Sequence, residues 1–254
     1  MPEVSPKLNQ AGDVLFRWRS FTPIPVILLV GWLVAQSRGA PSWGPRWAWL
    51  GVGFLLCSLG QTLRAWVLGL ARDGTSGQNE VLIAESLSTS GPYRWTRNPL
   101  YVGNFLIVFG LALATHALLA AAVATVFVVA QYNVIILAEE RFLAGRFGPN
   151  YARYRESVPR FFSLRKPPPA GVGAPFRAWR AVRKEHNPAA AWLLGLLAID
   201  AMDRAAIGIE YRWTLVAAVV VVAAWLSVKG WKHRWWSGEF KNDLRRRFRD
   251  LQVR

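Results

Sequence analysis

One cysteine, Cys57, stands in a chain of 254 residues, so no intramolecular disulfide can form and a disulfide-stapled scaffold is excluded. The three histidines, His116, His186 and His233, are scattered and give no metal-ligand spacing with Cys57. Acidic residues are scarce, 15 against 31 Lys+Arg, for a formal net charge of +16. Such a surplus often marks a nucleic-acid surface. Here it coexists with 53% hydrophobic residues, 14 Trp and long uncharged runs, so the expected partner is a membrane and not nucleic acid. The same apolar content excludes an intrinsically disordered chain. A glycine-rich nucleotide loop is missing too: Gly51 and Gly53 sit inside an apolar run, where no strand-to-helix turn can open.

What is present is a succession of apolar segments. Residues 47–63 carry no charge, and the pattern continues past Arg64 to Leu70. That makes about 24 residues, enough at ~1.5 Å each to cross a hydrocarbon core of ~30 Å. Residues 99–115 and 117–138 are two more spans joined at His116, which forces a tight antiparallel helical hairpin. Residues 21–35 make a shorter first span with Pro23 and Pro25 in its opening turn. The charged region of about twenty residues ahead of it is long for a cleaved signal peptide. Residues 189–209 and 214–228 are either a last pair of crossings or a hairpin lying in the interface, with Asp200 and Arg204 paired on one helical face. The expected fold is all-α, a polytopic transmembrane bundle of about six spans with an interfacial amphipathic helix. Its expected domains are N-terminal spans over 1–60, a core with the functional site over 61–165, and a basic linker, hairpin and tail over 166–254.

Charge orients this bundle. With the N-terminus inside, the inner segments 1–20, 71–98, 139–188 and 229–254 hold 3, 3, 11 and 9 Lys+Arg, whereas the outer loops hold only Arg38, Arg46 and Arg212. By the positive-inside rule both termini, and the loops at 71–98 and 139–188, face the cytoplasm, as in a bacterial inner membrane. Arg245, Arg246 and Arg247 read as an anchor to anionic lipids.

Chemistry is expected where polar residues interrupt the apolar pattern beside a turn. Residues 90–104 are such a place: Gly91-Pro92 marks a turn, Asn98 suits an N-cap, and Pro99 suits the first helical position. The free N–H groups of that helix start favour an anionic ligand group, with Arg97 adding a full charge. Gly103 admits a close neighbour, whether ligand or helix. A capped helix with a basic flank accounts for the same residues. The hairpin brings Glu139-Glu140 to the same membrane face. Either Arg141 or Arg146 neutralises the pair, or the pair and Arg97 share a cavity suited to a ligand with both a carboxylate and an ammonium. After Gly148-Pro149 stops the helix, Tyr151, Tyr154 and Val158 fall on one face of a short amphipathic helix ending at Pro159, a lid or a lipid-facing element. Gln61 and Arg64, three apart, are candidates to hold the polar head of a lipidic ligand, unless Arg64 snorkels to the interface. Arg160 is a second candidate for an anionic head group.

These residues carry a resemblance. Leu87, Gly91-Pro92-Tyr93-Arg94, Arg97-Asn98-Pro99-Leu100-Tyr101-Val102-Gly103, Glu139-Glu140, and Phe147-Gly148 followed by Tyr151, Tyr154, Val158, Pro159 and Arg160 resemble the membrane methyltransferases related to isoprenylcysteine carboxyl methyltransferase and phospholipid methyltransferases. The resemblance covers about residues 60–165. It implies S-adenosylmethionine as cofactor, lined by Arg97, Asn98, Pro99, Tyr101, Gly103, Glu139 and Glu140, with Leu87, Tyr93 and Asn104 beside them. Glu140 and Arg160 are then the candidates for the reacting centre, Gln61 and Arg64 for the substrate, and no metal is required. Asn98 stands where that family usually has His, and Glu85 where eukaryotic carboxyl methyltransferases often have His. The implied acceptor is lipidic or isoprenoid, methylated on a carboxyl, hydroxyl or amine. Membrane sterol reductases resemble the same region, so a reductase using reduced nicotinamide dinucleotide phosphate is the alternative, and a non-catalytic membrane protein the third reading.

Overall fold

The computed structural model describes residues 24–37, 44–71, 87–161 and 175–252. Among the described residues the chain is all-α, as expected, with seven α-helices and no strand. They are α1 (Ile24–Ser37), α2 (Arg46–Leu70), α3 (Pro99–Ala114), α4 (Leu118–Phe147), α5 (Pro149–Ser157), α6 (Ala178–Ala206) and α7 (Arg212–Gln252), with a single 3-10 turn at Gly91–Arg94. Among the described residues three stretches are long and apolar enough to cross a membrane: α2, α4 and the Arg212–Lys232 part of α7. α1 and α3 contribute shorter apolar helices, Pro25–Ser37 and Pro99–Ala114. The chain divides into two compact units, one ending at Ala181 and one beginning at Val182.

In the first unit α2 packs most extensively against α3. Glycine is the reason. A Cβ on Gly53 would stand 2.7 Å from the Gly110 carbonyl, and one on Gly60 would stand 2.5 Å from the Gly103 carbonyl. The two backbones therefore touch at two levels, as helices do where small residues let them approach. A Cβ on Gly103 would meet Arg64 Cγ at 2.6 Å and the Gly60 carbonyl at 2.9 Å. Gly103, expected beside the cofactor, lies at this helix contact and against the Arg64 stem. The hairpin expected at His116 forms: Ala114 ends α3, Leu118 opens α4, and His116 turns the chain with φ +48°.

Gly148 stops α4 with φ +49°, and Pro149 starts α5. Tyr151, Tyr154 and Val158 do share a face, and that face is buried against Leu87, Leu143, Ala144 and Phe147. α5 therefore docks on the protein, which removes the lipid-facing reading of this face. In the second unit the expected Asp200–Arg204 pair is present at 2.8 Å, and the buried Thr214 donates to the same carboxylate oxygen at 2.5 Å. The apolar run expected to end at Val228 belongs to a longer helix, since α7 continues to Gln252.

Candidate active site

α2 ends, α3 begins and α4 ends at one pole of the first unit, and most of the polar residues singled out from the sequence collect there. Two chain segments are stitched together. Thr96, almost fully buried, donates its hydroxyl to the Arg160 carbonyl at 2.9 Å and accepts the Asn98 N–H at 3.1 Å. Asn98 donates its side-chain amide to that same carbonyl at 3.0 Å, and the Arg97 N–H reaches the Pro159 carbonyl at 2.9 Å. The residues after α5 thus form a strap bound to the entry of α3. Asn98 precedes the helix as expected but makes no side-chain cap. With φ −126° and ψ 51° it leaves the extended geometry of a cap, and its amide is committed to the strap.

This entry also offers less to an anion than expected. Pro99 brings no N–H, and those of Tyr101 and Val102 both go to the Asn98 carbonyl at 3.1 Å, so Leu100 holds the remaining N–H of the first turn among the described residues.

Glu140 is the hub. It receives Arg97 Nη2 at 2.8 Å and Arg160 Nη2 at 2.6 Å, with the Glu140 side chain 7% exposed. Arg97 also gives Nη1 to the carbonyls of Arg155 at 3.0 Å and Val158 at 2.6 Å. The partners of Glu140 are therefore not Arg141 or Arg146, and the Arg97 charge is neutralised inside the protein. Arg97 and Glu140 hold the strap; Arg160, 32% exposed, also gives its Nε to Glu140 at 3.3 Å. Glu139, one residue earlier and so about 100° around the helix, serves a different neighbour. Tyr101 donates to it at 2.8 Å, and the Tyr101 ring meets Tyr132 edge to face at 5.0 Å.

The phenols here stay neutral. Burial and the nearby Glu139 carboxylate hold Tyr93 well above the usual tyrosine range, and burial pushes Tyr151 up to about 12, with Glu140 adding to the rise. Tyr154, raised chiefly by burial, donates to the Tyr93 carbonyl at 2.8 Å. Tyr151 is 2% exposed, and its hydroxyl, in the field of Glu140, Arg97 and Arg160, has no hydrogen-bond partner among the described residues. A buried donor without an acceptor is costly.

Of the remaining candidates, Leu87 packs on α5, and Gln61 and Arg64 lie half-buried on α2, with Arg64 donating to Asn104 of α3. Thr96 and Tyr132 were not singled out from the sequence. A threonine two residues before a turn N–H is the signal for the first, whereas Tyr132 reads as one more aromatic in an apolar span.

Residues 49–150, two fifths of the chain, match the phospholipid methyltransferase family, an interval that contains α3, α4, both acidic residues and all but the first three residues of α2. Over that interval the chain is similar to that family. Among characterised proteins it is similar to the cobalt-zinc-cadmium resistance protein CzcN of Cupriavidus metallidurans, 35% identical over 55% of this chain and 60% of that one. It is similar also to the nickel-cobalt-cadmium resistance protein NccN of Alcaligenes xylosoxydans xylosoxydans, 31% identical over 51% and 58%. A third relative is the protein-S-isoprenylcysteine O-methyltransferase of Xenopus laevis, 34% identical over 44% of this chain and 40% of that one. The chain thus spans three fifths or less of the length of these relatives. No solved structure matches it.

Proposed function

We propose that this protein is an integral membrane methyltransferase that binds S-adenosylmethionine at the pole built by Arg160, Glu139, Tyr93 and Tyr101 and methylates a lipidic or isoprenoid acceptor. The observation that carries the reading is the strap-and-hub geometry: the buried Arg97–Glu140 pair, which lies within the methyltransferase family match, also binds Arg160, and next to Glu140 in the chain Glu139 accepts from Tyr101. The donor set fits the cofactor. Arg160 and the Leu100 N–H offer donors for a carboxylate, Glu139 accepts from an ammonium or a ribose hydroxyl, the tyrosine rings offer faces to adenine, and the orphaned Tyr151 hydroxyl awaits an acceptor. When bound, the cofactor supplies an electrophilic methyl on a sulfonium. The chain's own part is to orient, to exclude water, and to keep its phenols protonated.

Charge distribution supports a cytoplasmic position for this pole, because the segment that leads out of it, 139–188, holds 11 Lys+Arg, whereas the outer loops hold only Arg38, Arg46 and Arg212. The bacterial source of two relatives supports a bacterial membrane, and the basic residues after α7's apolar part suit anionic lipid. The six-crossing arrangement adds α1, α3 and α6 to the three helices long enough to cross.

The test is a transfer assay. Membranes containing the protein, given tritiated-methyl S-adenosylmethionine and a host lipid extract, are expected to place label in the organic phase above membranes lacking it. Equal label in the two preparations contradicts the reading, and consumption of reduced nicotinamide dinucleotide phosphate without label transfer favours the reductase.

A further inference from the structure

Three successive carbonyls of the strap are taken by three successive residues ahead of α3. The Val158 carbonyl accepts Arg97 Nη1 at 2.6 Å, and the Pro159 carbonyl accepts the Arg97 N–H at 2.9 Å. The Arg160 carbonyl accepts twice, from the Thr96 hydroxyl at 2.9 Å and from the Asn98 amide at 3.0 Å. These carbonyls lie beyond the end of α5, so they draw their donors from another segment of the chain. On the strap side the stitch uses backbone alone. It fixes where residue 160 stands and leaves the side chain at that position for other work.

That side chain carries the surplus charge of the hub. Arg97 and Glu140 cancel, and Arg160 adds one cation. Two of its five N–H donors go to Glu140, and at 32% exposed it is the accessible guanidinium of the two, Arg97 being 10% exposed.

Thr96 organises the stitch. It is 2% exposed, and its hydroxyl oxygen accepts the Asn98 N–H at 3.1 Å, which leaves the hydroxyl hydrogen for the Arg160 carbonyl. One hydroxyl thus supports both donors on that carbonyl, its own and the amide of the residue whose backbone it holds. Thr96 bonds to the Arg160 backbone and not to the guanidinium, so it acts on the root of the side chain. Recognition of a carboxylate by a guanidinium fork is directional, and a shift of ~0.5 Å at that root degrades it.

We propose that Thr96 is a positioning residue: with Asn98 it holds the Arg160 backbone so that the guanidinium, steadied by Glu140, meets the carboxylate of S-adenosylmethionine. The inference rests on the methyltransferase reading and adds the residue through which Arg160 is set to that carboxylate.

The purified full chain in dodecyl maltoside is titrated calorimetrically with S-adenosylmethionine and with decarboxylated S-adenosylmethionine, which keeps the sulfonium, the ammonium and the adenosine and lacks the carboxylate. The parent is expected to prefer the complete cofactor roughly 10- to 100-fold, the worth of a charge-assisted hydrogen bond, and Arg160→Gln to remove most of that preference. Thr96→Val, of nearly the same shape, is expected to weaken S-adenosylmethionine roughly 3- to 10-fold and to leave the decarboxylated form within about twofold. Thr96→Ser restores the hydroxyl and with it the parent's preference. Adding Thr96→Val to Arg160→Gln is expected to cost no more than about twofold further, because a residue that acts through another then has nothing to act on. Should Thr96→Val fail to fold, Asn98→Ala, which removes the other donor to the same carbonyl, takes its place and is expected to narrow the preference in the same direction. An unchanged preference in the folded variant, equal weakening of both ligands, or additive losses in the double variant overturns the proposal. A parent that binds both ligands equally overturns this inference and leaves the methyltransferase reading standing, whereas a folded parent that binds neither overturns that reading itself.

Discussion

Glu140→Ala is expected to release the strap after α5 and to abolish cofactor binding. The carboxylate is 7% exposed and sits between two guanidiniums, Arg97 at 2.8 Å and Arg160 at 2.6 Å. Its removal leaves two like charges facing each other, one of them only 10% exposed, and breaking a buried pair from one side costs roughly 3–5 kcal/mol. The loss propagates. Arg97 also holds the carbonyls of Arg155 and Val158, so a displaced Arg97 frees the segment that carries Arg160. Glu140→Gln keeps an acceptor but forfeits the charge, and should fall between parent and alanine variant. Hydrogen exchange over residues 149–160, with melting in detergent, reads both effects. Parent-like protection there in Glu140→Ala would show that the apolar face of Tyr151, Tyr154 and Val158 holds the strap unaided.

The second large effect lies in the seam between α2 and α3. Gly60→Leu is expected to force the two helices apart, because its Cβ would stand 2.5 Å from the Gly103 carbonyl, a backbone atom that cannot swing aside. Overpacking of a tight contact costs ~1–3 kcal/mol or more, and here the strain moves α3, which carries Tyr101 and Asn104. A lowered melting temperature is therefore expected together with weaker cofactor binding. Gly103→Leu should destabilise as well, since its Cβ would stand 2.6 Å from Arg64 Cγ and 2.9 Å from the Gly60 carbonyl on the same seam. Gly51 has nothing within 4 Å, so Gly51→Leu is the control and should melt like the parent. If Gly60→Leu also melts like the parent, the seam is looser than described.

These two sites mark how far the sequence could be read. Features set by local rules were legible: the start of α3 at Pro99, the turn at His116, the stop at Gly148-Pro149, the shared face of Tyr151, Tyr154 and Val158, and the Asp200–Arg204 pair. Each depends on residues a few positions apart. The partners of Glu140 did not depend on neighbours. Arg97 is 43 residues away and Arg160 is 20, so nearby Arg141 and Arg146 offered the same charge with nothing local to exclude them. Helical phase separates Glu139 from Glu140, yet which of the two faces Tyr101 depends on how α3 packs beside α4. Gly103 was ambiguous for a similar reason, because a glycine in an apolar span looks alike whether a ligand or a helix approaches it. Asn98 sits where an N-cap belongs, and only the strap's carbonyl shows that its amide has another use.

Calorimetric titration of the purified chain with S-adenosylmethionine tests the central claim most directly. The account predicts saturable one-to-one binding that Glu139→Gln weakens roughly 10- to 100-fold, the expected loss of a charge-assisted hydrogen bond, with no competition from reduced nicotinamide dinucleotide phosphate. Absence of binding by a well-folded parent chain, or saturable binding of the dinucleotide in its place, would contradict it.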